Sequence, residues 1–183
     1  EFTDYRVEQL KDPRFKLIQE AAEFISPTEV QAGKSILKAK SFIIATGSVI
    51  AEYPIPGLKE TGYVTSDEVL TMRNIPESII VLGAGAVSVE LAQFFLRIGT
   101  KVTLIQRSNH ILSSGDEDLA HPIEDRFREE GMDLYTGTKI IKATRENNHS
   151  TIFFEHEGKE KRVEAEFIFQ GLGRRPNIDR LNL

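Results

Sequence analysis

Ser78-Ile79-Ile80-Val81-Leu82-Gly83-Ala84-Gly85-Ala86-Val87-Ser88-Val89-Glu90 reads as a buried strand, a glycine turn and the start of a helix in direct succession. The strand is apolar on both faces, as central strands of parallel sheets are. Gly83 lets the backbone turn off the strand, and Gly85 removes the side chain that would block a pyrophosphate. The first helical residues, Ala86, Val87 and Ser88, present free amides and the positive end of the helix dipole to an anion. Ser88 stands where the third glycine of a G-x-G-x-x-G fingerprint falls. Val87, Leu91, Phe94, Phe95 and Ile98 predict an apolar helical stripe, which Gly99 ends. A strand–turn–helix joint without a ligand is the alternative reading of the same residues.

After Gly99, Lys101-Val102-Thr103-Leu104-Ile105 supplies a second strand and completes a β-α-β unit. A site for NAD places Asp or Glu just past such a strand, about 20 residues beyond the glycines, to accept from the ribose hydroxyls. This chain has Gln106 and then Arg107. The carboxylate that would repel a 2′-phosphate is missing, and a guanidinium pairs with phosphate through charge-assisted, bidentate hydrogen bonds. The pattern favours NADPH over NADH, with a solvated loop arginine as the other reading.

Outward from this core, 183 residues suffice for one full hydrophobic core and a smaller appendage. The net charge of −5 argues against nucleic acid or an anionic membrane surface as partner, and no apolar run approaches transmembrane length. Upstream, a strand is predicted around Phe15, Leu17 and Ile18, followed by residues 21–25, with Pro27 breaking the run. Val30, Gly33, Ile36 and Leu37 predict a hairpin that feeds a strand at 42–45. Residues 54–57 read as a linker, and Thr65 with Glu68 as the capping box of a short helix to Met72. The domain boundary is placed in this crossover, between 1–65 and 66–183. Downstream, Asp116, Glu117 and Asp118 open a helix to Glu130 that Gly131 ends, with Pro122 either kinking it or marking its first turn. Residues 132–135, 140–144, 151–156 and 167–170 read as strands, and the charge run 157–161 as a hairpin tip. The fold class is α/β: a Rossmann-like parallel sheet with helices on both faces plus an antiparallel β-meander.

Other signals carry less. Tyr135 and Lys139 match a Tyr-x-x-x-Lys acid–base pair, but that chemistry needs one helical face, and Gly137 and Thr138 predict strand and turn. The four histidines, 110, 121, 149 and 156, show no metal-ligand spacing with acidic partners on one element.

Five motifs occur in a fixed order: Ser41-Phe42-Ile43-Ile44-Ala45-Thr46-Gly47-Ser48, Pro54-Ile55-Pro56-Gly57, Thr65-Ser66-Asp67-Glu68, the glycine turn, and Gly171-Leu172-Gly173-Arg174-Arg175-Pro176-Asn177. In this the chain resembles the pyridine nucleotide–disulfide oxidoreductases, which include dihydrolipoamide dehydrogenase, mercuric reductase and glutathione reductase. The resemblance runs from about Phe15 to Leu183. It implies that 1–65 is a partial FAD-binding segment with a crossover, and that 66–183 is an NAD(P)-binding domain with the start of a return to the FAD domain.

It further implies that Ala45, Thr46 and Gly47 lie near FAD, that Gly171 and Gly173 lie against a dinucleotide, and that Glu90 holds the nicotinamide end. Ala86 departs from the tyrosine that covers the flavin in glutathione reductase, and Ser113 replaces a second phosphate-binding arginine. The family's FAD fingerprint, redox cysteine pair and His-Glu pair do not occur in the sequence, and cysteine is absent altogether. The expectation is therefore a central excerpt of a cytoplasmic, homodimeric flavoenzyme, without catalytic residues of its own. It would bind NADP, or alternatively NAD, with FAD held only in the full-length enzyme and hydride passing on to a disulfide or related acceptor. A self-sufficient short-chain NADP dehydrogenase and a non-catalytic nucleotide-sensing domain are the competing classes.

Overall fold

The computed structural model describes residues 2–183. It divides into two compact units, one of residues 50–174 and one formed by the chain up to 49 together with 175–183.

In the two-segment unit, α1 (Phe2–Gln9) precedes an antiparallel sheet of β1 (Ala22–Ser26), β2 (Glu29–Ala32) and β3 (Ser35–Lys38), in that order. Gly33, at φ +58, turns the predicted hairpin, and Ala32 pairs with Ser35. The strands expected at 15–18 and 42–45 do not form, and both stretches lack regular structure. A strand persists only where a neighbour takes its ladder bonds, and Ile43 is 95% exposed. Phe42 instead packs edge-on against Phe24, with ring centroids 4.9 Å apart. The returning segment is tied in by its backbone: Asn177 N–H donates to Gly47 O at 3.0 Å, and Phe24 N–H donates to Leu181 O at 2.8 Å.

β4 (Ser48–Ile50) leads into the larger unit. There, β5 (Ser78–Leu82), β6 (Lys101–Ile105), β7 (Asp133–Tyr135) and β11 (Phe167–Gln170) form a parallel sheet in the order β11-β5-β6-β7. An antiparallel sheet is built by β8 (Lys139–Glu146), β9 (His149–His156) and β10 (Lys159–Ala165). β12 (Arg174–Pro176) pairs with β4.

Alternate residues of each parallel strand point to opposite faces, and here both faces are apolar. One face, with Ile79, Val81, Val102, Leu104 and Phe169, packs on α2 (Ser66–Val69), α3 (Ala86–Arg97) and α4 (Glu117–Glu129). The other, with Ile80, Leu82, Ile105 and Ile168, packs on Ala143, Ile152 and Phe154 of the antiparallel sheet and on Leu58. The α/β class stands, but the layering differs from expectation: the three helices share one face and the meander covers the other. Fully buried Ile152 and Phe154 close that second face, so no helix is required there.

Helix α3 also turns differently from the predicted stripe. Ser88, Val89, Ala92 and Phe95 are buried, whereas Val87 and Phe94 are each 54% exposed. The small side chains at 88 and 92 let the helix come close to the strands, with Val89 and Phe95 filling the space beside them and Val87 and Phe94 turned outward. Helix α2 carries the expected capping box: Thr65 accepts from Asp67 N–H, and Glu68 accepts from the Thr65 backbone. Pro122 lies inside α4, whose N-cap is Asp116.

The charge run at 157–161 is only partly a hairpin tip, because β10 begins at Lys159. Its charged residues stay solvated while pairing with β9 supplies the ladder. The two-residue turns Asn147-Asn148 and Glu157-Gly158 have positive φ at both positions, as the tight hairpins favoured by twisted strands require. Residues 50–65 belong with the larger unit: Leu58 is buried, Val64 N–H donates to Ile168 O at 2.8 Å and Val64 O accepts from Gln170 N–H at 2.8 Å. The division therefore falls at 49/50, not at 65/66. Among the described residues, no helix is long and apolar enough to cross a membrane.

Candidate nucleotide-binding cleft

The turn from β5 into α3 lies at the carboxyl end of the parallel strands, the edge at which open α/β sheets bind ligands. Gly83 sits at φ +86, and its N–H donates to Ile105 O at 2.9 Å. A Cβ there would come within 2.6 Å of Gly171 O, so glycine is needed both for the turn and for the packing of β5 against β11. Gly85 is the N-cap of α3, extended at φ −73 and ψ 172, with no side chain capping the helix. A Cβ built at Gly85 meets nothing within 4 Å. The space beside Gly85 is thus free at the start of a twelve-residue helix, whose first-turn amides are the kind of donor an anionic pyrophosphate uses.

Two cavities meet at this turn. The larger, about 450 Å³, is bordered by Gly83, Gly85, Gln106, Arg107, Gly171 and Gly173, and also by Tyr53, Ser113, Thr138 and Lys139. The smaller, about 220 Å³, is bordered by Gly85, Ala86, Val87, Ser88, Gly171 and Gly173, with Ser66, Gln170 and Arg174. Of the residues singled out in the sequence of this unit, the fold brings all but one to the cleft. Glu90 is exposed on α3 and borders neither cavity. Ala45, Thr46 and Gly47 lie exposed in the other unit, where Asn177 Nδ2 donates to Thr46 O at 3.3 Å.

Ser88 explains the missing third glycine. It is buried, and its hydroxyl donates to Gly171 O at 3.3 Å, so the close approach of helix and strand is kept with a hydrogen bond added. Gln106 is buried at the end of β6, and its amide donates to Ser113 Oγ at 3.4 Å. Gln106 therefore organises the loop around Arg107. Among the described residues, the larger cavity is bordered by two cations, Arg107 and Lys139, and by no carboxylate.

No motif in the sequence marks Lys139, Tyr53 or Gln170 as cleft residues. Gln170 is buried and donates to Ala51 O at 2.9 Å, and its Oε1 finds no partner among the described residues. Lys139 was visible only through its spacing from Tyr135. The structure puts Tyr135 on β7 and Lys139 on β8, with Gly137 at φ +65 between them, so the two do not share a helical face.

Parallel sheet, glycine turn and cleft define a Rossmann-type α/β domain with an attached antiparallel layer. A family model described as pyridine nucleotide-disulphide oxidoreductase matches residues 3–182, and the chain belongs to that family. A mercuric reductase of Staphylococcus aureus is 34% identical over 97% of this chain and 32% of its own length. A dihydrolipoyl dehydrogenase of Bacillus subtilis (strain 168) is 25% identical over 95% of this chain and 38% of its own length. The solved Cu(II) complex of the HOCl-induced flavoprotein disulfide reductase RclA from Escherichia coli shares the fold. Its TM-score is 0.82 at 24% identity, covering 99% of this chain and 41% of that one. The chain thus spans about a third of the length of these curated relatives.

Proposed function

We propose that this chain is the NAD(P)H-binding part of a flavin-dependent pyridine nucleotide–disulfide oxidoreductase, and that it prefers NADPH. The observation that carries the reading is the Gly83–Ser88 turn opening onto a cleft that Arg107 borders and no carboxylate does. Gly85 and the first amides of α3 would hold the pyrophosphate, Gly171 and Gly173 would allow the dinucleotide close to the backbone, and Arg107 would face the adenosine ribose. When bound, the reduced nicotinamide supplies a hydride; the protein's own contribution is to bind it, aim it and shield it. Passage of that hydride to a flavin, and then to a disulfide or related acceptor, is part of the proposal and rests on family membership, as does a cytoplasmic, homodimeric parent enzyme.

Titration of the chain with NADPH and NADH tests this. NADPH should bind more tightly, and Arg107→Ala should lower that preference by about tenfold or more, the range of a charge-assisted pair. Equal losses for both nucleotides would remove Arg107 from 2′-phosphate recognition, and failure to bind either would remove the reading.

A further inference from the structure

Resting on that reading of the cleft, we infer that Lys139 is a second specificity-determining cation, which joins Arg107 in holding a phosphate carried on the adenosine ribose. The backbone brings the two together. Thr138 donates to Gln106 O through both its N–H, at 3.0 Å, and its hydroxyl, at 2.9 Å, while Gly137 N–H donates to Ser108 O at 2.8 Å. The residue before Lys139 is thereby clamped to the residue before Arg107, and both residues border the same cavity.

Neither cation is neutralised. Among the described residues no carboxylate forms an ion pair with Arg107 or Lys139, although Glu155 stands opposite Lys139 in the β8–β9 register. The cavity border holds no Asp or Glu, in a chain whose net charge is −5. Two unpaired cations over apolar walls that include Ile55, Ile140 and Leu172 concentrate positive potential where a dianion would sit. The pyrophosphate has its own donors at the start of α3, where Ala86, Val87 and Ser88 border the smaller cavity, which neither Arg107 nor Lys139 borders. What remains for the Arg107–Lys139 pair is a phosphomonoester, with the guanidinium as a planar fork and the ammonium as a point charge. The 2′-phosphate of NADPH has that chemistry.

The test is a set of titrations of the 183-residue chain and its Lys139→Gln, Lys139→Arg and Arg107→Ala variants, with melting temperature as the control for folding. Lys139→Gln should weaken NADPH binding about tenfold and leave NADH within about twofold, and Lys139→Arg should restore most of the loss. In the double variant with Arg107→Ala, the two losses should be coupled for NADPH and not for NADH. Adenosine 2′,5′-bisphosphate should compete better than adenosine 3′,5′-bisphosphate or 5′-AMP, and Lys139→Gln should abolish that advantage. Unchanged NADPH binding in Lys139→Gln, while the unmodified chain still prefers NADPH, would overturn the role of Lys139 alone. Equal losses for NADH and NADPH would move Lys139 to the pyrophosphate and overturn it too, as would preferred binding of the 3′,5′ isomer. If the unmodified chain bound neither NADPH nor NADH, the reading of the cleft would fall, and this inference with it.

Discussion

The hydroxyl of Ser88 donates to the carbonyl of Gly171 at 3.3 Å and joins the first turn of α3 to the end of β11 across the cleft. These two positions share one small space: a Cβ at Gly171 would overlap Ser88 Oγ and lie 3.2 Å from Leu82 O. Gly171→Ala should therefore destabilise the chain by roughly 1–3 kcal/mol through overpacking. Adding Ser88→Gly should recover part of that loss, so the double variant is more stable than the sum of the single effects. Urea unfolding midpoints measure this, and strictly additive losses would mean that the two side chains do not compete.

Gly83 and Gly85 should separate stability from binding. Gly83→Ala forces a side chain into a positive φ and against Gly171 O, and should lower the melting temperature by several degrees, in line with roughly 1–3 kcal/mol of strain. Gly85→Ala enters open space at an ordinary φ, so the melting temperature should stay within about 2 °C while NADPH affinity falls about tenfold or more. Calorimetric melting and nucleotide titration of the two variants check both halves. A Gly85→Ala chain that binds normally would show that no ligand approaches this backbone.

Glu130 sets an acid limit on the unit of residues 50–174. Its carboxylate accepts from Arg97 Nη2 at 2.7 Å, Arg126 Nε at 2.8 Å and Gln93 Nε2 at 3.3 Å, which ties α4 to α3. Chiefly because of the Arg97 bonds, its pKa is drawn down from 4.5 to about 2. The folded state thus favours the charged form. The stabilisation is complete above pH 4.5 and is lost as the pH falls toward about 2. Glu130→Gln should flatten the acid limb of stability across that window and leave the rest of the pH profile parallel. Urea midpoints measured on both sides of pH 4.5 decide it; an unchanged acid limb would place the proton uptake elsewhere.

What the sequence made legible was whatever its local chemistry determines. The β5–α3 joint depends on two glycines and an apolar run, and the α2 cap on Thr65 and Glu68 three residues apart. Both appear as expected. The errors come from partners distant in the chain. Strand β10, largely charged, exists because β9 offers it a ladder, and residues 42–45 remain irregular for want of one. The orientation of α3 departs from the apolar stripe because hydrophobicity ranks Val87 and Phe94 as inward, whereas close packing against the strands selects Ser88 and Ala92. Lys139 joined the cleft only through the bonds of Gly137 and Thr138 to the loop after β6, which no spacing in the chain reveals.

The larger unit is continuous from 50 to 174, and its own extremities meet: Ala51 N–H donates to Gly173 O at 3.0 Å. The smaller unit joins the chain up to 49 with residues 175–183, which supply the bonds to Phe24 and Gly47. During synthesis the inserted unit can therefore condense before residues 175–183 reach the chain up to 49. By bringing its own two ends together, it reduces a closure over more than a hundred residues to one across a few ångströms, and much of the entropic cost of that long loop is removed before the return segment docks.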